Sequence, residues 1–265
     1  MKVPVYDLTG KVNSYVDVNR LFSEPVRKDL IKKAVLAEQS AERQRYGADP
    51  EAGKKTSAHY HGRRGIKNSM MNREMARMKR IHGSGHLSFR ARFVPQAVKG
   101  RKAHPPKSEK NWVHKINKKE HMKALLSALR AGTERDIVAE RGHKIEEVKH
   151  FPLVFDDSFE KLKKIKEVRD ALNHVGLKEE MERVKEKKIR SGRGKTRGRK
   201  YKRKKGPIVI VKNDETIKKA GRNLSGFDIL TTKELSVQAL APGTQPGRLC
   251  IWTKSALSDM DSLKS

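Results

Sequence analysis

One tripeptide has the residue types of a phosphate-binding site. Gly194, Lys195 and Thr196 match the end of a P-loop, in which backbone amides and a lysine surround the phosphates of a nucleotide. That motif needs a glycine five positions before its Gly-Lys pair, but Ile189 stands there, and the apolar run 208–211 follows the tripeptide instead of preceding it. The spacing therefore argues against a nucleotide-binding enzyme.

Histidines and one cysteine are the other reactive side chains. The pairs His59/His61 and His82/His86 lie among glycines and arginines, and this cationic setting repels a metal ion. Cys250 lies in the apolar run LCIW, which favours a buried residue over a nucleophile that needs a base and exposure. We therefore predict no metal, no cofactor and no catalytic site.

The charge of the chain is concentrated in two segments. The 265 residues include 62 Lys and Arg against 31 Asp and Glu, a net charge of +31. Residues 53–110, the long arm, contain 16 Lys and Arg and two acidic residues, and residues 187–205, the short arm, contain 12 Lys and Arg and no acidic residue. The rest is nearly neutral, as a self-supporting domain would be. The sequence predicts a neutral core with two basic arms.

The short arm has the composition of a nucleic-acid ligand. It has no apolar periodicity, so alone it cannot offset the entropy lost on ordering. The length of the arm argues against a nuclear-localisation patch, which needs about five to eight residues, and against a solvated charged face. Here twelve cations are interleaved with Gly192, Gly194 and Gly198. Such glycines let the backbone approach phosphates closely. We favour RNA binding by this arm.

The long arm has features of single-stranded RNA recognition. Gly83 and Gly85 would form a tight tip, and Phe89 and Phe93 beyond it could stack on unpaired bases. No helix-turn-helix, zinc-finger, KH or RRM motif is present, which disfavours a sequence-reading DNA-binding protein. Three methionines stand at helical spacing, which is typical of a short amphipathic helix that packs locally: Met71, Met75 and Met78.

The neutral part has the pattern of an α/β domain. Apolar periodicity with start and stop signals predicts four helices: one near 24–45, one from Asn117 to Gly132 with Glu120 completing a capping box, one from Ser158 to Gly176, and a more polar one around Leu177, Met181 and Val184. Six short β-rich runs lie between them: Val3 to Tyr6, Ile137 to Ala139, Leu153 to Phe155, Ile208 to Val211, Phe227 to Leu230 and Leu249 to Trp252.

Several of these runs are apolar without alternation, which is typical of strands buried on both faces. We therefore predict one three-layer α/β domain over 1–265, with a mostly parallel central sheet flanked by helices. The long arm 53–110 would be an extended internal loop, and the short arm 187–205 a second excursion. No apolar run exceeds four residues, against about 20 for a membrane span, and Asp7 precedes any signal-peptide core. We expect an intracellular protein without a membrane partner.

Long blocks of the chain resemble the L4 family of large-subunit ribosomal proteins. The blocks are KGRKAHPPKSEKNWVHKINKKEHMKALLSALRA (99–131), RSGRGKTRGRKYKRKKGPIVIV (190–211) and RNLSGFDILTTKELSVQALAPGTQPGRLCIWTKSAL (222–257). EAGKKTSA (51–58) and ARMKRIHGSGH (76–86) resemble the start and tip of that family's internal loop. The chain is similar to the archaeal and eukaryotic branch and lacks the basic C-terminal extension of eukaryotic members, so we expect an archaeal member.

The resemblance implies a cytoplasmic structural protein of the large subunit. Its partners would be large-subunit rRNA, neighbouring ribosomal proteins and, at the wall of the peptide exit tunnel, the nascent polypeptide. The rRNA-binding residues would be Arg63, Arg64, Lys67, Arg73, Arg77, Arg80, Arg90, Arg92, Arg101, Lys102, Arg193, Lys195, Arg197, Arg199, Lys200, Lys202 and Arg203. The tunnel-facing tip would be Arg77, Arg80, His82, Gly83, Ser84 and Gly85, where the family often has several consecutive glycines.

Two alternatives stand beside this interpretation. An RNA-processing enzyme could use the α/β domain as its active site, although a fold class does not imply a function. The second alternative is a regulator that binds its own mRNA, and no feature of the sequence favours or disfavours it. We favour a non-catalytic rRNA-binding protein that supports subunit assembly by neutralising charge and fitting the shape of RNA.

Overall fold

The computed structural model describes residues 2–18 and 22–262 and divides into two units. The α/β unit consists of the residues up to 42 and those from 113 onward, and the inserted unit consists of 43–112. The strands are β1 (Lys2–Tyr6), β2 (Val12–Asp17), β3 (Leu153–Phe155), β4 (Lys187–Ile189), β5 (Tyr201–Arg203), β6 (Ile208–Val211), β7 (Asp228–Thr231) and β8 (Cys250–Thr253).

The helices are α1 (Lys28–Ala41), α2 (Lys118–Ala131), α3 (Arg135–Glu140), α4 (Ile165–His174), α5 (Lys178–Lys185), α6 (Ile217–Gly221), α7 (Val237–Leu240) and α8 (Lys254–Ser262). Short 3₁₀ turns lie at Asp157–Lys161, Thr232–Glu234 and Pro242–Thr244. Within the described ranges, no helix is both long and apolar enough to cross a membrane.

Six strands form one sheet in the order β2-β1-β3-β8-β6-β7. β2 runs antiparallel to β1, and every other neighbouring pair is parallel. Alternate residues of the inner strands point to opposite faces, as the pleat requires. Ile208 and Ile210 pack with α1, α2, α7 and α8, whereas Val209 and Val211 pack with α4, α5 and α6. The predicted three-layer α/β fold with a mostly parallel sheet is confirmed.

Five predicted strands are present to within one residue of their ends, but the strand predicted at Ile137–Ala139 is wrong. These residues lie in α3, where only Val138 is buried and its N–H bonds Glu134 O at 3.1 Å. Three consecutive apolar residues fit either structure, and flanking charges decide for a surface helix. β2 was not predicted, because an edge strand of mixed polarity has little apolar signal.

The helix predictions need two further corrections. The helix near 24–45 is shorter at both ends. The segment from Ser158 is a 3₁₀ turn followed by extended Leu162 and then α4, because Phe159 is buried and Glu160 is drawn to the edge of the sheet. Asn117 is the N-cap residue of α2, yet its side chain makes no capping hydrogen bond.

Arg248 is a buried cation that joins three parts of the α/β unit. Its guanidinium donates to Gly206 O at 2.8 Å, to Ala239 O at 2.8 Å and to an Asp228 carboxylate oxygen at 2.6 Å. The side chain is 1% exposed. Burial alone would raise the pKa of Asp228, but the charge and hydrogen bond of Arg248 hold that pKa below its usual value. Arg248 therefore ties the starts of β6 and β7 to the end of α7.

We expect Arg248→Gln to lower the free energy of unfolding by about 3 kcal/mol, since it leaves Asp228 and backbone carbonyls without their donor. Urea denaturation measures the change. Lys205→Gln is the matched control, because Lys205 contacts the same carboxylate at 3.3 Å from an exposed position, and its loss is expected to cost no more than about 0.5 kcal/mol. Equal losses in the two variants would contradict the role given to Arg248.

Candidate nucleic-acid interface

The short arm forms a two-stranded antiparallel hairpin. β4 and β5 pair Lys187 with Arg203, Lys188 with Lys202 and Ile189 with Tyr201. Two of the three pairs set cation against cation, and like charges directly opposite destabilise a hairpin. The sequence did not predict these strands, since their residues carry no apolar pattern. Backbone hydrogen bonds stabilise the hairpin, and repulsion between the facing cations opposes them.

The hairpin presents the seven predicted cations to solvent, five from its turn and two from β5. All are exposed, and within the described part of the chain none of them forms an ion pair with a carboxylate: Arg193, Lys195, Arg197, Arg199, Lys200, Lys202 and Arg203. The turn is shaped by its own chain, since Arg199 N–H donates to Gly194 O at 3.1 Å and Thr196 Oγ1 to Arg193 O at 2.8 Å. The result is a dense positive surface on a short, defined backbone.

Among the described residues, the acidic partners of the short arm lie at the base of the hairpin. Lys204 pairs with Glu186 at 2.7 Å, and Lys205 pairs with Asp228 at 3.3 Å. Lys187 and Lys188, on β4, add further exposed cations that the sequence-based choice of site residues missed. Lys187 lies opposite Arg203 and Lys188 opposite Lys202. These positions could have been inferred by extending the hairpin register back from the glycine-rich turn.

The inserted unit is organised around Arg80. Its backbone bridges both His59 and Ala91 in antiparallel fashion. Its guanidinium donates to Phe89 O at 2.8 Å and to Ala76 O at 2.9 Å. Arg80 was predicted to bind rRNA and to face the tunnel, and in the structure its side chain serves the internal architecture of this unit. The short helix expected from the spacing of Met71, Met75 and Met78 is not formed: residues 71–78 are turns and bends, Met75 is exposed and the other two are half-buried.

The other predicted cations of the inserted unit divide by exposure. Arg92 donates to Val98 O at 2.7 Å and is half-buried, as is Arg101. The remaining side chains are exposed: Arg63, Arg64, Lys67, Arg73, Arg77, Arg90 and Lys102. The structure thus leaves seven of the ten predicted cations of this unit open to a polyanion.

The two phenylalanines beyond the tip are covered by cations. The Arg73 guanidinium lies 4.3 Å from the ring centre of Phe89, and Lys79 Nζ lies 4.1 Å from that of Phe93. Both phenylalanines have left-handed backbones, with φ of 55° and 72°. A cation over an aromatic face is attractive and keeps its charge at the surface. Each pair presents positive charge together with a ring edge.

The tip itself is open. Gly83 and Gly85 have φ of 156° and 83°, and no atom lies within 4 Å of where a side chain would begin. His82 stands beside it, with its ring centre 4.6 Å from that of His61. Desolvation, and then the neighbouring His61 and His59, lower the pKa of His82. Among the described residues no three ligand side chains come together as a metal site.

At the carboxyl edge of the parallel sheet, where α/β enzymes place their ligands, the Glu160 carboxylate binds two strand ends. The Glu160 carboxylate accepts from Lys212 N–H at 2.9 Å and from Thr253 Oγ1 at 2.7 Å. Cys250 is 1% exposed, and burial raises the pKa of its thiol to about 12. This confirms Cys250 as a core residue. Glu160 serves as a joint between the ends of β6 and β8.

Comparison with known proteins matches residues 16–263 to the model of the Ribosomal protein L4/L1 family. The chain belongs to this family. It is 41% identical over 263 residues to large ribosomal subunit protein uL4 of Methanosphaera stadtmanae, covering 99% of this chain and 97% of that protein. It is 45% identical to uL4 of Nanoarchaeum equitans over 100% of this chain and 99% of that protein, and 43% identical to uL4 of Methanopyrus kandleri over 98% of each.

Membership confirms the resemblance seen in the sequence, and these archaeal relatives confirm the archaeal type. The protein is a structural ribosomal protein and not an enzyme, in a family that works in the cytoplasm within the large subunit. This removes the RNA-processing alternative.

We expect Lys202→Glu to stabilise the free hairpin, since it turns the Lys188–Lys202 pair into an ion pair worth about 0.2–1 kcal/mol. Hydrogen exchange of the Arg190 amide, which donates to Lys200 O at 2.8 Å, should slow accordingly, while RNA binding weakens. Lys202→Gln is the control that removes the repulsion without adding attraction. Its exchange rate should fall between those of the unaltered protein and of Lys202→Glu. Faster exchange in Lys202→Glu would show that the register is different.

Proposed function

We propose that this protein binds large-subunit rRNA through its two basic arms and thereby supports assembly of the subunit. The observation that carries the proposal is the hairpin of the short arm. Two of its three cross-strand pairs set cation against cation, and the hairpin exposes seven cations without carboxylate partners among the described residues. A protein that leaves such charge uncompensated gains stability when a polyanion supplies the missing partners.

The binding mechanism is charge neutralisation combined with shape. Lysine and arginine side chains that contact phosphates release counterions, which gives affinity without reading a sequence. The defined backbone of the hairpin turn and the open cations of the inserted unit then select RNA by the spacing of its phosphates. Neighbouring large-subunit proteins are the other partners that the family relationship supports.

The core and the arms divide this work. The α/β unit supplies the hydrophobic core, and the arms 53–110 and 187–205 supply the RNA contacts. The inserted unit begins at 43 and ends at 112, so it extends beyond the long arm at both ends. The proposed rRNA-binding residues are those predicted from the sequence, except that Arg80 and Arg92 act mainly by holding the inserted unit in shape.

The tip of the long arm is the part proposed to reach the wall of the peptide exit tunnel and contact the nascent polypeptide. Gly83, Ser84 and Gly85 are exposed there, and the two glycines leave space on every side. His82 is half-buried beside them, and Arg77 is exposed. The three small residues at 83–85 suit a passage through which an extended chain must move.

Replacing the seven hairpin cations with Gln should flatten the salt dependence of RNA binding. The slope of log K against log salt is expected to fall by about 0.7 for each cation that contacts a phosphate. Filter binding to large-subunit rRNA at several salt concentrations measures the slope. The thermal unfolding midpoint of the free protein should stay within about 2 °C, because these side chains contribute to no core contact.

The matched control replaces seven exposed cations of the α/β unit outside the short arm: Lys118, Lys119, Lys123, Lys163, Lys166, Arg169 and Lys178. This variant loses the same net charge and should keep most of the slope. Equal slopes in the two variants would mean that only net charge matters, and the proposed surface would be wrong.

Shortening the tip by removing 84–87 should leave the protein competent to enter subunits, since the bridges of Arg80 to His59 and Ala91 lie outside the deletion. Translation through the tunnel should change, because the wall recedes there. Sedimentation of assembled subunits and the rate of elongation of a test polypeptide measure the two effects. Failure of the variant to join subunits would assign the tip to assembly instead.

A further inference from the structure

A cavity of about 790 Å³ lies where the chain enters and leaves the inserted unit. Its walls are formed by Tyr46 on the entering side and by 103–112 on the leaving side, including His104, Pro105, Lys107 and Trp112. This volume lies in the range of sites that hold small organic groups. All the residues that line the cavity belong to the inserted unit, and none of them is a residue of the tip.

The aromatic side chains of this cavity form a stack. The rings of Tyr46 and Trp112 lie 5.4 Å apart between centres, with an angle of 20° between their planes. Tyr46 is 49% exposed, so part of its surface is open. The indole Nε1 of Trp112 is shielded and has no hydrogen-bond partner among the described residues. Trp112 therefore contributes to this cavity through stacking of its ring and not through a hydrogen bond of its N–H.

Cations surround the stack. The Arg43 guanidinium lies 4.0 Å from the centre of the Trp112 ring, and Lys110 Nζ lies 4.4 Å from it. Lys107 lines the cavity, and Glu109 is the acidic residue among its lining side chains. Residues 43–112 contain 18 Lys and Arg against four acidic residues. A ligand of this cavity must combine a flat aromatic part with negative charge.

The walls of the cavity are fixed by close backbone contacts. Ala48 N–H donates to Pro106 O at 2.9 Å, which ties the entering chain to the leaving chain. A side-chain carbon on Gly47 would lie 2.6 Å from Ser108 N, so only glycine permits this approach. The cavity is therefore set in shape before a ligand arrives, which reduces the entropy lost on binding.

We propose that this cavity binds one unpaired nucleotide of RNA, with its base against the Tyr46–Trp112 stack and its phosphates near Arg43, Lys107 and Lys110. The inference rests on the proposed rRNA-binding function and specifies a site for it. A proline-rich peptide also fits aromatic grooves, but Pro105 and Pro106 already line this one, and the surrounding positive charge selects a phosphodiester. The nucleotide would hold the two ends of the inserted unit together.

The test uses tryptophan fluorescence of the full chain. Trp112 is half-buried, and Trp252, the other tryptophan, is 0% exposed in the core. A short single-stranded RNA should quench Trp112 in a saturable way, whereas an abasic phosphodiester of equal length should not. Trp112→Phe should abolish the quenching. Tyr46→Ala should weaken the affinity about tenfold or more, as loss of base stacking does.

Tyr15→Ala is the matched control, because Tyr15 is 68% exposed on β2 of the α/β unit and should leave affinity and quenching unchanged. Equal quenching by the abasic chain, or quenching by a proline-rich peptide that RNA cannot displace, would overturn the proposal. The comparison of RNA with the abasic chain needs no variant, so it decides the matter even where Tyr46→Ala does not fold.

Failure here is distinguishable from failure of the proposed function. Salt-dependent retention of rRNA that requires the hairpin cations, without any quenching of Trp112, would reject the nucleotide site and leave rRNA binding in place. Loss of both would reject the two proposals together.

Discussion

Uncompensated positive charge is the constraint on which the rest of this structure depends. A buried cation needs partners for each of its donors, and Arg248 shows what that requires, since carbonyls and a carboxylate surround it. The cations of the short arm outnumber the carboxylates within reach, which are used at the base of the hairpin by Lys204 and Lys205. The arm must therefore stay outside the core, and its partners must come from another molecule.

The hydrophobic core of the α/β unit contains no described residue of either arm. Residues of β6 and β8 alternate between two apolar layers, so the sheet is buried on both faces without any residue of the inserted unit. At the carboxyl edge, where an enzyme of this fold would bind its ligand, Glu160 instead ties the ends of β6 and β8 together. A fold common among nucleotide enzymes is used here as a support, which agrees with the family relationship.

The sequence predicted secondary structure correctly where an element is fully buried and wrongly where an element is only partly buried. The run Ile208–Val211 was predicted because a strand buried on both faces is apolar throughout. Ile137–Ala139 was assigned to the wrong element, since one buried residue leaves little to distinguish a strand from a short helix. The hairpin was missed because its strands are cationic, and the stack of Tyr46 on Trp112 joins residues far apart in the chain. No local pattern signals either feature.

The two arms differ in how far their shape is set without a polyanion. In the short arm the register itself opposes folding, because Lys187 faces Arg203 and Lys188 faces Lys202. A polyanion removes that repulsion, so part of its binding energy appears as order in the hairpin. In the inserted unit, cations already lie on Phe89 and Phe93, and glycine contacts set the backbone. The backbone of the inserted unit is thus set by its own contacts, whereas the backbone of the hairpin is set against the repulsion of its cations and would gain stability from a polyanion.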